Sequence, residues 1–106
     1  MGDDLNSTMT RADLLAASEE IIRGILHRTL PAGAPVYLFG SRSRGDRRWN
    51  SDFDLWVDAD VPREDISTIE DELEDSIVPF GVDIVTTRQL QGEFGQRVRQ
   101  EAIQWM

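Results

Sequence analysis

Hydrophobic residues recur along this chain with the three-to-four-residue spacing of helices in three regions. The first region predicts a helix that Thr10 caps and that ends near Leu30. A second helix is predicted after Pro62, and a third after a cap at Thr86 or Thr87. The predicted apolar faces are, in turn, Leu14, Ser18, Ile21 and Ile25; Ile66, Ile69, Leu73 and Ile77; and Phe94, Val98, Ala102 and Trp105.

Three short segments between these regions are typical of strands. Residues 36–39 are β-branched, aliphatic or aromatic, residues 53–58 alternate with period two, and residues 82–85 follow the breakers Pro79 and Gly81. Residues 41–51 are polar and predict a loop with one helical turn, and residues 1–9 predict a frayed terminus before one domain over 10–106. This order predicts an α/β (α+β) fold, in which a small mixed sheet packs its helices on one face.

Composition narrows the classes of function that this chain can serve. Its 106 residues allow one domain, and 20 acidic against 11 basic residues give a net charge of −9, which disfavours binding to duplex nucleic acid. The lack of Cys and the single His exclude disulfides, thiolate metal ligands and multi-histidine metal sites. Because no signal peptide or long apolar run is visible, we expect a cytoplasmic protein with no membrane partner.

Three carboxylates interrupt the apolar strands. Asp52 and Asp54 flank Phe53, so both point to the face opposite the core, and Asp83 projects in the same way from the third strand. If the two strands are neighbours, the three carboxylates meet and repel one another unless a cation neutralises them. Mg²⁺ binds one or two carboxylates together with water and phosphate oxygens. The alternative is a set of solvated acids on an exposed sheet face.

The loop before these carboxylates has the composition of a phosphate-binding turn. Gly40 and Ser41 end the first strand where backbone amides could approach a phosphate, and Ser41 adds a hydroxyl. The chain's one cluster of basic residues follows, with Gly45 inside it: Arg42, Arg44, Arg47 and Arg48. A solvated loop that offsets nearby acids is the alternative. A phosphate cradle beside an acidic metal site suits nucleoside triphosphate chemistry.

The spacing of these residues resembles a known signature. Gly40-Ser41, ten further residues and then Asp52-Phe53-Asp54 resemble the Gly-Ser-x10-Asp-x-Asp motif of the DNA polymerase β-like nucleotidyltransferase superfamily. Residues 40–45 and 51–55 are similar to the minimal nucleotidyltransferases (MNT), short proteins often paired with a helical HEPN protein. Residues 82–85 match the family's third acidic strand. Ser43 departs from the Ala common before Arg-Gly, and the loop over 46–50 is unusually rich in Arg and Trp.

The resemblance implies nucleotidyl transfer from ATP, with two Mg²⁺ ions as cofactor. Two carboxylates would hold ions that bridge the triphosphate, and the third, Asp83, would ligate the catalytic ion and help to deprotonate an acceptor hydroxyl. Arg42 or Arg48 could also contact phosphate. The implied catalytic and metal-binding residues are Asp52, Asp54 and Asp83, and the implied phosphate-binding residues are Gly40, Ser41 and Arg44.

The resemblance also implies a partner. In the family's paired systems the protein is an antitoxin that modifies a tyrosine of a HEPN toxin, which implies a hetero-oligomer with such a protein. Two alternatives stay open: an antitoxin without catalysis that neutralises its partner by occlusion, and, less favoured for so short a chain, an adenylyltransferase of small molecules such as aminoglycosides. Trp56 shares the strand phase of Asp54, and we expect it on the open face as cover, a base-stacking surface or a partner contact.

Overall fold

A computed structural model describes residues 10–45 and 48–106 of the chain. The expected frayed terminus over 1–9 and the candidate Arg47 lie outside the described residues. The elements, in chain order, are α1 (Arg11–Thr29), β1 (Val36–Phe39), α2 (Ser41–Arg44), β2 (Phe53–Val57), α3 (Arg63–Asp75), β3 (Val82–Thr86), a 3₁₀ turn (Thr87–Gln89), α4 (Gly92–Glu101) and β4 (Ile103–Gln104).

The four strands form one mixed sheet in the order β3-β2-β1-β4. The pair β1 and β2 is antiparallel, β2 and β3 are parallel, and β4 lies antiparallel to the other side of β1. The two central strands therefore carry the segments on either side of the Arg-rich loop. The predicted fold class is confirmed.

The main core lies between one face of this sheet and the helices α1 and α3. Thr10 begins α1 with a capping box, in which its hydroxyl accepts from the Asp13 amide and the Asp13 carboxylate accepts from the Thr10 amide. Ile22 on α1, Leu55 on β2 and Ile69 on α3 are completely buried. Burying each such side chain contributes about 1.5–3 kcal/mol, which fixes the sheet against the two helices.

The last helix differs from the expected arrangement, because α4 packs on the opposite face of the sheet. A second apolar cluster there joins Phe39 and Trp56 of the strands to Leu90 and Val98. Both faces of β1 and β2 carry large apolar residues, and this second apolar surface needs a cover. The helices thus occupy two faces of the sheet rather than one.

Three boundaries also differ from the periodic pattern. Helix α3 ends at Asp75, so Ile77 lies beyond it and is 80% exposed. Thr86 caps the 3₁₀ turn rather than the last helix, which begins only at Gly92. That helix ends at Glu101 because the chain then turns into β4, and Trp105 packs against Phe53 in the main core. Within the described ranges, no helix is long and apolar enough to cross a membrane.

Candidate active site

Strands β2 and β3 bring the predicted carboxylates to one face of the sheet. Their parallel register places Asp54 directly opposite Asp83, and Asp52 lies two residues before Asp54 on the same side of the chain. Asp54 is half-buried, whereas Asp52 and Asp83 are exposed. The alternation about Phe53 therefore predicted the shared face correctly.

The three carboxylates interact electrostatically. Burial, and then the charges of Asp83 and Asp52, raise the pKa of Asp54 above its ordinary value of 3.8, and a side-chain hydrogen bond with Asp83 acts in the same direction. The guanidinium of Arg44 acts in the opposite direction and favours the carboxylate. Asp54 is thus the least solvated member of a group of like charges, and a cation beside it would relieve their repulsion.

Gly40 places the turn after β1 against this acidic group. Its φ of +75° and ψ of −153° lie in a region that is open almost only to glycine. A Cβ atom at this position would overlap Oδ2 of Asp54. The amides of Ser43 and Arg44 donate to the Gly40 carbonyl at 3.1 and 3.2 Å and begin α2. The predicted phosphate turn and the predicted metal carboxylates are therefore in contact.

A second glycine allows a similarly close approach to the carboxylate of Asp52. A Cβ atom on Gly81, the residue before β3, would approach Oδ1 of Asp52 to 2.7 Å. The Gly81 carbonyl accepts from the amide of Phe53 at 2.8 Å, which aligns the starts of β2 and β3. The sequence pattern used Gly81 only as a helix breaker and missed this close approach.

Glu101, at the end of α4, also reaches the site. Its Oε1 accepts from the Gly40 amide and its Oε2 from Nη1 of Arg44, both at 3.0 Å. The side chain is only 16% exposed. Sequence reasoning missed Glu101, because it is 61 residues from Gly40 and belongs to no motif.

Arg42 has a different place from the phosphate-facing one that the sequence suggested. It is 6% exposed, its Nε donates to the Ser51 carbonyl at 2.9 Å, and its Nη2 donates to the Trp49 carbonyl at 3.0 Å. The guanidinium lies 4.1 Å from the ring centroid of Phe53. Arg42 thus ties α2 to the end of the loop, directly before Asp52. Arg48 has an exposed side chain, so its possible contact with phosphate stays a prediction.

Trp56 has the predicted strand phase but not the predicted exposure. It is 7% exposed, stacks on Tyr37 with ring centroids 4.7 Å apart, and donates from Nε1 to Oγ1 of Thr87 at 2.9 Å. Helix α4 covers the face on which it lies, through Val98. The expectation of an exposed Trp56, available to a base or a partner, is therefore wrong.

The described residues supply carboxylate oxygens but not a closed metal cage. In residues 10–45 and 48–106, no group of three or more Asp, Glu or His side chains is arranged to hold a metal ion. Mg²⁺ seldom uses an all-protein cage, and it takes one or two carboxylates together with water and substrate phosphates. The donor chemistry of Asp54 and its two acidic neighbours fits such a shared site.

Comparison with known proteins finds a family and several solved structures to which this chain is similar. Residues 19–104 match the family described as "Polymerase beta, Nucleotidyltransferase". A solved minimal nucleotidyltransferase is 32% identical with a TM-score of 0.61, and the match covers 92% of this chain and 97% of that one.

Two toxin–antitoxin structures are also similar. A toxin–antitoxin with AMP-PNP contains a chain 29% identical with a TM-score of 0.65, and the match covers 82% of this chain and 72% of that one. The toxin–antitoxin MntA–HepT gives 25% identity and a TM-score of 0.60 over 85% of this chain and 71% of the other. Comparison with curated proteins finds no match.

Proposed function

The chain belongs to the polymerase β nucleotidyltransferase family, and on that premise we propose that it transfers a nucleoside monophosphate, AMP from ATP, to a hydroxyl group. One observation carries the proposal. The backbone of Gly40 touches the carboxylate of Asp54, so a turn suited to phosphate adjoins a group of carboxylates suited to a divalent cation. Both halves are needed to bind a triphosphate and to stabilise its reaction.

The residues around Gly40 would bind and orient the triphosphate. The Gly40 amide, the Ser41 hydroxyl and the Arg44 guanidinium would donate to its phosphate oxygens. The acceptor hydroxyl would lose its proton to a carboxylate oxygen of Asp83 as its oxygen bonds to the α-phosphorus. The bond from that phosphorus to the bridging oxygen breaks, and pyrophosphate leaves with the electron pair.

Asp52, Asp54 and Asp83 would hold Mg²⁺ together with the triphosphate. The ion would neutralise the charge that develops on the phosphate oxygens and the leaving pyrophosphate. The ion would stabilise the charged form of Asp54 most, because this carboxylate is partly desolvated and lies beside two like charges.

We propose further that the acceptor belongs to a helical HEPN-type toxin and that this chain is its antitoxin. The chains of toxin–antitoxin structures to which it is similar support this partner, and the one with AMP-PNP supports nucleotide use. In residues 10–45 and 48–106 the elements are those of the sheet and its helices, and none of them forms a separate unit for binding an acceptor. A second protein would complete the acceptor side of the site.

Ligand binding tests the nucleotide site without a partner. MgATP at a hundredfold excess over its dissociation constant stabilises a protein by about 2.7 kcal/mol, which is roughly 10–20 °C in melting temperature for a domain of this size. Asp54→Asn should abolish this rise, whereas Asp71→Asn, at an exposed position on α3, should keep it. An equal rise in the wild type and in Asp54→Asn would refute the site.

Intact-mass spectrometry tests the transfer itself. The chain, MgATP and its candidate helical partner are mixed, and the partner is weighed. Added adenylyl groups that disappear with Asp52→Ala would support catalysis. A stable complex with a partner of unchanged mass would instead favour an antitoxin that acts by occlusion.

A further inference from the structure

The carboxylate of Glu101 makes the contacts that a phosphate group would make. Its two oxygens bind one backbone amide, of Gly40, and one guanidinium nitrogen, of Arg44, each at 3.0 Å. Backbone amides and arginine side chains are the donors with which proteins bind phosphate oxygens, and they bind carboxylates by the same charge-assisted hydrogen bonds. The carboxylate of Glu101 therefore accepts hydrogen bonds from the same donors that we assign to the triphosphate.

The surroundings of Glu101 make this contact more than a surface ion pair. The Glu101 side chain is 16% exposed. Its partner Arg44 also interacts electrostatically with Asp54, the carboxyl whose pKa is raised. The Gly40 amide has a single hydrogen, so it cannot make a full hydrogen bond to Glu101 and to a phosphate at once. A triphosphate that reached this turn would also meet a fourth negative charge beside the three aspartates.

We propose that Glu101 is part of the nucleotide site as a competing internal anion, which holds the phosphate donors until nucleotide displaces it. The inference rests on the proposed function, because it assumes that Gly40 and Arg44 bind the triphosphate. The contact of Glu101 should have opposite effects on stability and on nucleotide affinity. Glu101 stabilises the protein without ligand and weakens its affinity for nucleotide.

Substitution of Glu101 separates these consequences. Glu101→Gln keeps the length and one acceptor oxygen but removes the charge, and Glu101→Ala removes both oxygens. Without ligand, both variants should melt several degrees lower than the wild type, with Glu101→Ala the lower. In calorimetric titration with MgATP, both should bind more tightly, by about tenfold, which corresponds to 1.4 kcal/mol. Glu93→Gln, at an exposed acid in the first turn of α4, is the matched control and should change neither quantity.

The outcomes distinguish this inference from the proposed function. Tighter MgATP binding by Glu101→Gln than by the wild type supports the inference, including the case in which only the variant binds. Equal or weaker binding by both Glu101 variants, with a wild type that binds, overturns it and leaves the nucleotide site standing. Failure of the wild type and of both variants to bind MgATP refutes the proposed function and the inference with it. An unchanged melting temperature for Glu101→Ala also overturns the inference, because the contact would then contribute nothing.

Discussion

Replacing Arg42 by methionine should loosen the loop that leads into the candidate site. The guanidinium is buried and donates to two backbone carbonyls, those of Trp49 and Ser51, at 3.0 and 2.9 Å. It also lies over the ring of Phe53 at 4.1 Å from the centroid. Methionine retains much of the apolar volume and removes every donor, so both carbonyls lose a strong partner.

The size of the effect follows from these contacts. A hydrogen bond to a charged group contributes about 1.5–3 kcal/mol, and a partly desolvated cation–π contact contributes about 0.5–2 kcal/mol. The cost of burying a guanidinium, several kcal/mol, is recovered when the charge is removed and offsets much of this sum. We therefore expect Arg42→Met to lower the free energy of unfolding by about 2–4 kcal/mol. That loss corresponds to roughly 10–30 °C in melting temperature.

Urea denaturation at several temperatures measures this loss. Arg97→Met, at an exposed position on α4, is the control for removing an arginine from the surface and should cost less than about 0.5 kcal/mol. Arg42→Lys keeps the charge but not the planar fork, so its cost should lie between the two. If Arg42→Met costs no more than Arg97→Met, the guanidinium does not hold the loop.

Three further outcomes can be measured on the same protein. The folded state raises the pKa of Asp54 above 3.8, so the wild type should lose stability relative to Asp54→Asn as the pH rises from 3.8 through the raised pKa. Without metal, Asp54→Asn should therefore be more stable than the wild type at pH 7, as measured by urea denaturation. A pH-independent difference would contradict this. Trp56→Ala should cost about 3–5 kcal/mol in the same assay, because Trp56 is core, and a cost below 1 kcal/mol would contradict its burial. Gly40→Ala should be more destabilising than Gly33→Ala, because both positions have positive φ but only at Gly40 does the new Cβ overlap Asp54. Equal losses of stability in the two variants would contradict this overlap.

The central strands and their carboxylates were predictable because their signals are local. Alternation with period two places Asp54 and Phe53 on opposite faces whatever the rest of the chain does. The position of Gly40 at the end of a short apolar strand likewise marks a turn without reference to distant residues. These two features fix most of the candidate site.

The cover of the second sheet face was not predictable from the same signals. Alternation tells which side of the sheet Trp56 occupies, but not which element packs on that side. Helix α4 also meets the preceding turn closely, because a Cβ atom on Gly95 would come within 2.6 Å of the Leu90 carbonyl carbon. Helical periodicity contains no information about such a contact.

The burial of Arg42 and the contacts of Glu101 were missed for a related reason. Arg42 is one of several arginines in a polar loop, and nothing in its neighbours marks it as the buried one. Glu101 ends an amphipathic helix in which other acids and bases occupy similar exposed positions. The packing of α4 against Phe39 and the pairing of β1 with β4 together bring it to Gly40, and β4, at two residues, is too short to show a period.

The short length of β4 could set the rate at which MgATP binds at Gly40. It pairs with β1 at only two positions, Leu38 with Ile103 and Tyr37 with Gln104, and it follows Glu101 almost directly. Segments with so few ladder hydrogen bonds open locally at a lower free energy than the whole domain unfolds. If such an opening carries Glu101 away from Gly40, the observed association rate of MgATP should level off at high nucleotide concentration. The plateau would equal the rate at which β4 separates from β1, and amide hydrogen exchange at Trp105 and Met106, which donate to the Val36 carbonyl, would report the same event.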